Sequence, residues 1–384
     1  RDWSVTGVQT CALPIYPVVI CRAMRTDTSR IILVRHGRSS FNDQGRYQGS
    51  SDTAVLTQQG IETAQQVGDY LRPISINAVY TSPLARAKQT TDETLKAMAD
   101  RRPKPITVSN DLREIDLSVW EGLTYGDVRQ NHQQAYKCWQ QHPHEFKLPA
   151  ANNTYHYPVK DLYQRAQLFW AHTLPLHRGK TVLIVSHGGT NHALISTALG
   201  LSAKDHHCLQ QSNCGISTLE FSGLGVQLKQ LNQTRAIQET LPKLKAGKQG
   251  LRLLLLAEDS LTMGACKQLA HRLAAIKLDV CLSITAGQKW LPILLPYQDK
   301  TIRFTVEQDD FLQAGKQPWP EAFCSTDELI TGVAIATTTS IQTLLIQTLG
   351  GRPYEGSKLL LKPSHLSVIH YPKNHRPIVQ AINI

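Results

Sequence analysis

The chain has 384 residues, 41% of them hydrophobic and 18% charged, with a formal net charge of +11. That length suits two globular domains. No apolar run approaches the ~20 residues of a membrane span, and the Lys and Arg residues form neither a dense run nor an aromatic-interleaved stripe, so neither a membrane nor a nucleic-acid partner is expected. The excess charge reads as general surface plus a pocket for an anion. The eight cysteines (Cys11, Cys21, Cys138, Cys208, Cys214, Cys266, Cys281 and Cys324) are scattered without a CxxC pair. They read as reduced thiols and favour a cytoplasmic location.

Residues 1–24 are set apart. Val5 to Ile15 resembles the in-frame translation of a sequencing adapter. A signal peptide is the rival reading, but Pro14 and Pro17 interrupt the apolar centre and Asp2 stands in the leader. Met24 is taken as the natural start. From there strands and helices alternate. Ile31–Val34 reads as a buried strand. Thr57–Leu71 follows as a helix with Thr57 as N-cap, and Ile61, Ala64, Val67 and Leu71 share one face. Ala78–Tyr80 is a short strand. Ser82-Pro83 is expected to start a helix running to Met98, with proline in the first turn. Ile106–Val108 and Thr181–Val185 are strands. A helix from Thr190 to Leu199 stops at Gly200, and Ile216–Phe221 is again a strand. The alternation predicts an α/β fold: a mostly parallel sheet flanked by helices on both faces.

Two apolar strands end in histidine turns, Arg35-His36-Gly37 and Ser186-His187-Gly188-Gly189. Such strands bring two imidazoles to one end of a sheet, which suits phosphoryl transfer to a histidine nucleophile. A phosphomonoester carries nearly two negative charges and needs a cationic cradle for its equatorial oxygens. Arg35 and Arg86 offer planar bidentate donors. Gly188 and Gly189 offer backbone N–H groups beside His187, and Asn42 a donor from the loop after the first strand. His36 needs one neutral ring nitrogen aimed at phosphorus and the other held by a carbonyl. Glu114 is the candidate acid for the leaving oxygen and base for water, among the nearby competitors Asp111, Asp116 and Glu121. No metal-ligand spacing occurs, and no cofactor is expected.

Residues 30 to about 222 resemble the histidine phosphatase superfamily, which includes the cofactor-dependent phosphoglycerate mutases. The resemblance rests on Arg35-His36-Gly37 with Asn42, Tyr47-Gln48-Gly49, Thr81 to Ala87, Leu112 to Asp116 with Trp120-Glu121-Gly122, and Ser186 to Gly189. It implies a phosphoglycerate mutase-like fold, catalytic roles for Arg35, His36, Arg86, Glu114 and His187, and substrate contacts from Asn42, Gln48, Gly49 and Gly188. Arg38 departs from the family's usual Glu or Gln. The run from Glu114 to Gly122 resembles the phosphatases rather than the mutases, and the segment Tyr125–Tyr163 expected to cap the pocket is modest in Arg and Lys. A metal-independent phosphatase acting on a small phosphorylated metabolite is therefore the expected function. A phosphoglycerate mutase and a non-catalytic phospho-ligand-binding protein are the alternatives.

Residues 227–250, polar with Pro242, Gly247 and Gly250, read as a linker between a catalytic domain at 25–226 and a second domain at 251–384. Thr331–Gly350 lies against Thr181–Gly200 at a constant offset of 150, and the same offset sets Ser367 on Ser217 and Ile369 on Leu219. This predicts an internal duplication with a shortened second copy. Ala257-Glu258-Asp259 stands where the first half has Arg35-His36-Gly37, and Thr337 falls on His187. The second copy is therefore expected to be catalytically degenerate and to act as an intramolecular partner of the first, with a homodimer as a further assembly.

Overall fold

The computed structural model describes residues 27–99, 105–150, 153–307 and 321–384. The leader assigned to residues 1–24 lies outside them. The first sheet comprises β1 (Ser29–Arg35), β2 (Ala78–Thr81), β3 (Ile106–Val108), β6 (Thr181–Ser186), β7 (Ile216–Ser222) and β8 (Gly225–Gln233). Its order is β3-β2-β6-β1-β7-β8. The first four strands of that order run parallel, and β7 and β8 add an antiparallel edge. A two-strand hairpin, β4 (Leu148–Pro149) and β5 (Tyr155–His156), lies apart.

The central strands are apolar throughout because helices cover both faces, so alternate residues meet different layers. Ile32, Val34, Leu183 and Val185 pack with Ala64, Val67 and Leu71 of the helix Gln58–Leu71. Ile31, Leu33, Val182 and Ile184 face Leu162, Ala166 and Phe169 of the helix Pro158–Thr173 and Ala193 and Leu194 of the helix Gly188–Leu199. The helix expected at Ser82-Pro83 begins instead at Ala85, after Leu84 as N-cap. The Ser82 hydroxyl accepts the Leu84 N–H and lies 2.7 Å from His187 Nε2, so the Ser-Pro pair forms a turn that belongs to the site.

The second sheet comprises β9 (Gly250–Ala257), β10 (Val280–Ile284), β11 (Ile302–Val306), β12 (Leu329–Ala336), β13 (Ser367–Tyr371) and β14 (Ile378–Ala381). Its order, β11-β10-β12-β9-β13-β14, repeats that of the first sheet strand for strand. The registers repeat as well. Arg30 faces Thr181 and Ile31 faces Leu219, while Arg252 faces Thr331 and Leu253 faces Ile369. The same fold is therefore present twice. Residues 109–180 separate β3 from β6 in the first copy, against 307–328 between β11 and β12 in the second.

The segment read as a linker from residue 227 onward is corrected at its start: strand β8 runs to Gln233. Its polar composition concealed it, because Asn232, Gln233 and Thr234 are buried polar residues. Asn232 is buried against the second copy, where it meets Gln380. The edge strands of the two sheets meet where Leu231 N–H donates to Ile382 O (3.0 Å) and Ile382 N–H donates to Leu231 O (3.1 Å). The flanking asparagines act reciprocally. Asn232 Nδ2 donates to Gln380 O and Asn383 Nδ2 to Lys229 O, each at 2.8 Å. Both asparagines adopt left-handed backbone, with φ of 51° and 59°. Their Oδ1 atoms accept the N–H groups of Ser212 and Lys362. The junction is locally two-fold, the self-complementary pattern of a symmetric dimer contact inside one chain.

Among the described residues no helix is long and apolar enough to cross a membrane. Asn232→Ala removes the partner of the Ser212 N–H and of the Gln380 carbonyl inside the junction. It is expected to cost about 2–4 kcal/mol, read as a lower urea midpoint. An unchanged midpoint would show that the junction does not hold the two copies together.

Candidate active site

The C-terminal ends of β1 and β6, side by side in the sheet, carry the two histidine turns. Parallel α/β sheets place binding sites at this edge. The His36 and His187 ring centroids lie 5.1 Å apart. His36 Nδ1 lies 2.7 Å from the Gly37 carbonyl oxygen, which can only accept, so Nδ1 carries the proton and the neutral ring keeps its lone pair on Nε2. Gly37 N–H donates to Thr90 Oγ1, and a Cβ on Gly37 would meet Gly60 O at 2.5 Å. The turn thus admits only glycine.

Arg86, from the first turn of the helix Ala85–Met98, is 0% exposed, as is His187, and His36 is 2% exposed. Arg86 Nη1 donates to Ser51 O (2.7 Å) and Nη2 to Gly49 O (2.9 Å). That turn is locked from below, where Glu121 Oε1 accepts the N–H groups of Ser50 (2.6 Å) and Ser51 (3.1 Å). Arg35 Nη1 donates to Gln211 O (2.8 Å). Arg35 Nε, Arg86 Nε and His187 Nδ1 are buried nitrogens without a hydrogen-bond partner in the protein. Burial lowers the Arg86 guanidinium to about 10 and also lowers Arg35, with Glu114 opposing the shift in both. Desolvation, and then the adjacent arginines, push His36 and His187 well below the ordinary histidine value. Both imidazoles are therefore neutral bases beside two cations.

Glu114 lies against the N-terminus of the helix Gly188–Leu199. Its carboxylate accepts from Gly189 N (3.1 Å), Thr190 N (3.0 Å) and Thr190 Oγ1 (3.2 Å). A negative group at a helix N-terminus is favourable. Arg165 positions the loop by donating to the carbonyls of Asp111, Arg113 and Glu114. A cavity of about 1430 Å³ opens over the site, and Arg35, Arg38, Asn42, Glu114, Gly188 and Gly189 are among the residues lining it.

Arg35, His36, Arg86, Glu114 and His187 thus converge, with Gly188 and Asn42 at the cavity wall. Asn42 stands on a short helix, Ser40–Asp43, where its Oδ1 accepts from Ser39 N and Asn213 Nδ2. Gln48 and Gly49 stand behind the site: Gln48 Oε1 accepts from Ser39 Oγ, and Gly49 lends its carbonyl to Arg86. Arg38 pairs with Asp43 at the cavity mouth.

Residues 31–234 match the family model described as "Histidine phosphatase superfamily (branch 1)". The chain belongs to the histidine phosphatase superfamily. It is similar to the 2-carboxy-D-arabinitol-1-phosphatase of Triticum aestivum, 37% identical over 238 residues, which cover 60% of this chain and 46% of that protein. It is also similar to the protein named probable phosphoglycerate mutase GpmB of Salmonella choleraesuis (strain SC-B67), 31% identical over 192 residues, covering 50% of this chain and 85% of that one. The match thus spans less than half the length of the wheat relative. Among solved structures, the alpha-ribazole phosphatase of Shigella flexneri aligns at 28% identity with a TM-score of 0.45, over 53% of this chain and 96% of that one.

Several residues of this histidine phosphatase site escaped sequence reasoning. Asn213 donates to the carbonyls of His36 and Gly37, and Ser82 meets His187. Lys245 joins Arg35 on the Gln211 carbonyl. Ser82 lay within a quoted motif, Thr81 to Ala87. Asn213 and Lys245 gave no local signal, because their contacts are long-range.

The neutral histidines make stability depend on pH. Burial also lowers His206, His192 (to about 3) and His207 (to about 4) from the ordinary 6.5. Below 6.5 the unfolded chain binds protons that the folded chain refuses, so stability falls on acidification. Each such ring adds a slope of up to about 1.4 kcal/mol per pH unit. Urea unfolding at pH 7 and pH 5 is expected to show a marked loss at pH 5. Equal midpoints would contradict the neutral assignment.

Proposed function

We propose that this protein is a metal-independent phosphatase that hydrolyses a small phosphomonoester metabolite through a phosphohistidine. The observation that carries the reading is His36: Nδ1–H is tied to Gly37 O, and desolvation beside Arg35 and Arg86 keeps the ring neutral, so Nε2 has its lone pair for phosphorus. Nε2 attacks, the phosphorus–oxygen bond to the leaving group breaks, and the Glu114 carboxylate relays a proton from the monoanionic phosphoryl group to the departing oxygen. Water then attacks phosphorus, gives a proton to Glu114, and the phosphorus–nitrogen bond breaks to return the neutral ring. Arg35, Arg86 and His187 hold the equatorial oxygens with nitrogens the protein leaves unpaired. Asn42 and Gly188 orient the substrate from the cavity wall, while Gln48 and Gly49 act indirectly through Ser39 and Arg86.

The second copy is read as catalytically degenerate. Glu258 and Asp259 follow β9 where His36 and Gly37 follow β1. The Asp259 carboxylate accepts from Thr338 N (3.1 Å) and Thr338 Oγ1 (2.6 Å) at the start of the helix Thr338–Thr348. A fixed carboxylate there repels a phosphate. Five cysteines, Cys138, Cys208, Cys214, Cys266 and Cys281, carry free thiols, which supports a reducing, cytoplasmic setting.

A phosphoglycerate mutase is the second reading, favoured by the basic lining of the cavity, which suits retention of a bisphosphorylated intermediate. Release of phosphate in EDTA, compared with interconversion of 2- and 3-phosphoglycerate, separates the two. Rapid quench with a labelled ester is expected to trap an acid-labile phosphoryl group on His36. His36→Ala is expected to lose at least about a thousandfold in kcat. Substantial remaining turnover would place chemistry in the second copy, and failure to trap the adduct would remove the covalent mechanism. Glu114→Gln is expected to lose about a hundredfold or more on an alkyl ester and less on p-nitrophenyl phosphate, whose leaving group needs no proton. Equal losses on the two esters would reassign Glu114 to a structural role.

A further inference from the structure

The cavity over the histidines is not walled by the first copy alone. Lys245 and Gly247 enter it from the segment between β8 and β9, and Lys373 and Arg376 from the β13–β14 turn. Among the described residues Glu114 is the one acidic residue lining it. Three of the cations lining it pair with carboxylates, Arg38 with Asp43, Lys373 with Asp327 and Arg376 with Asp205, and Arg129 donates to the Tyr125 carbonyl.

Lys245 is different. Its ammonium donates to the Gln211 carbonyl, the same oxygen that accepts Arg35 Nη1. Two cations converging on one neutral carbonyl repel each other, and a single carbonyl dipole offsets neither charge fully. The residue as a whole is exposed, yet desolvation at the ammonium and the adjacent Arg35 lower it well below the ordinary lysine value. An anion bound there would relieve both effects. Its position decides which anion. Arg35, Arg86 and His187 carry the unpaired nitrogens that suit a phosphoryl group, and Arg86 and His187 are fully buried, whereas Lys245 stands on the cavity wall.

We propose that Lys245 forms a second anion subsite, so that the preferred substrate is a phosphomonoester bearing a further anionic group, a carboxylate or a second phosphate, a few bonds from the ester. The proposal rests on the phosphomonoester reading of the site. The tether that follows the first domain thereby contributes to substrate choice as well as to connection. Lys245 is a positioning residue: it binds the far end of the substrate and leaves the reacting atoms to the histidines.

The test uses a matched pair of probes, 3-phosphoglycerate and glycerol 1-phosphate, which differ in a carboxylate against a hydroxymethyl group. Wild-type protein is expected to favour 3-phosphoglycerate by roughly tenfold or more in kcat/KM. In Lys245→Met that ratio is expected to fall to near one, with the change carried by KM, and Lys245→Arg to restore most of it. Fructose 1,6-bisphosphate as a third probe distinguishes a subsite that takes a second phosphate from one that takes only a carboxylate. A ratio unchanged in Lys245→Met, through equal losses or none, overturns the proposal. Should the wild type hydrolyse none of the esters, the phosphatase reading fails on its own. Calorimetric binding of the same pair to His36→Ala, with and without Lys245→Met, then decides the subsite: loss of the preference for 3-phosphoglycerate supports it, and an unchanged preference overturns it.

Discussion

Two guanidiniums and two imidazoles share one desolvated pocket at the end of a parallel sheet, and the arrangement holds only because the imidazoles stay neutral. Arg86 is fully buried, and its charge is met by the carbonyls of Gly49 and Ser51 rather than by a contacting carboxylate. Arg35 likewise rests on a carbonyl. Their fields, added to desolvation, keep the proton off His36 and His187. A buried base next to fixed positive charge is a poor proton acceptor but an available nucleophile toward a dianion that neutralises the same charges. The need to hold the arginines explains much of the surrounding sequence: Glu121 locks the turn that binds Arg86, and Arg165 clamps the loop that carries Glu114.

The second copy of the fold meets the first along the sheet edges and beside the pocket, where Gln210 N–H donates to Val379 O and Val379 N–H to Cys208 O. Leu231 and Ile382 exchange backbone hydrogen bonds across the edges of the two sheets, and Asn232 and Asn383 reach over reciprocally. An exposed sheet edge invites pairing with another chain. Here each copy covers the other's edge. The same junction brings the β13–β14 turn and the tether to the cavity mouth. The residues of the second copy at that junction, Ile382 and Asn383 among them, are buried.

The repeated, mostly parallel fold was legible in the sequence because it depends on periodicity and register. Apolar runs bounded by turns mark parallel strands wherever they occur, and the match of Ser367 to Ser217 and Ile369 to Leu219 is the register that the sheets display. The cluster of Arg35, His36, Arg86, Glu114 and His187 was legible for a related reason. Each stands at or just beyond the end of a strand, or on the first turn after one, where backbone direction fixes where the side chain goes. Gln48 and Gly49, read from their motif as substrate contacts, hydrogen-bond Ser39 and Arg86; a motif shows that residues act together without showing which touches the ligand. The end of strand β8 was misread because Asn232 is buried by a partner that composition does not reveal.

The sequence by itself determined the mostly parallel α/β fold, its repetition and the residues that converge at the end of the first sheet, since these follow from local periodicity and from residues adjacent along the chain. Tertiary structure alone decided that Asn213, Ser82 and Lys245 join the site and that the second copy helps wall the cavity. Those contacts join residues far apart along the chain: Ser82 through its hydroxyl on His187, and Asn213 and Lys245 through hydrogen bonds to backbone carbonyls. Every residue has a carbonyl, so such partners leave no mark in the sequence until folding brings them within reach.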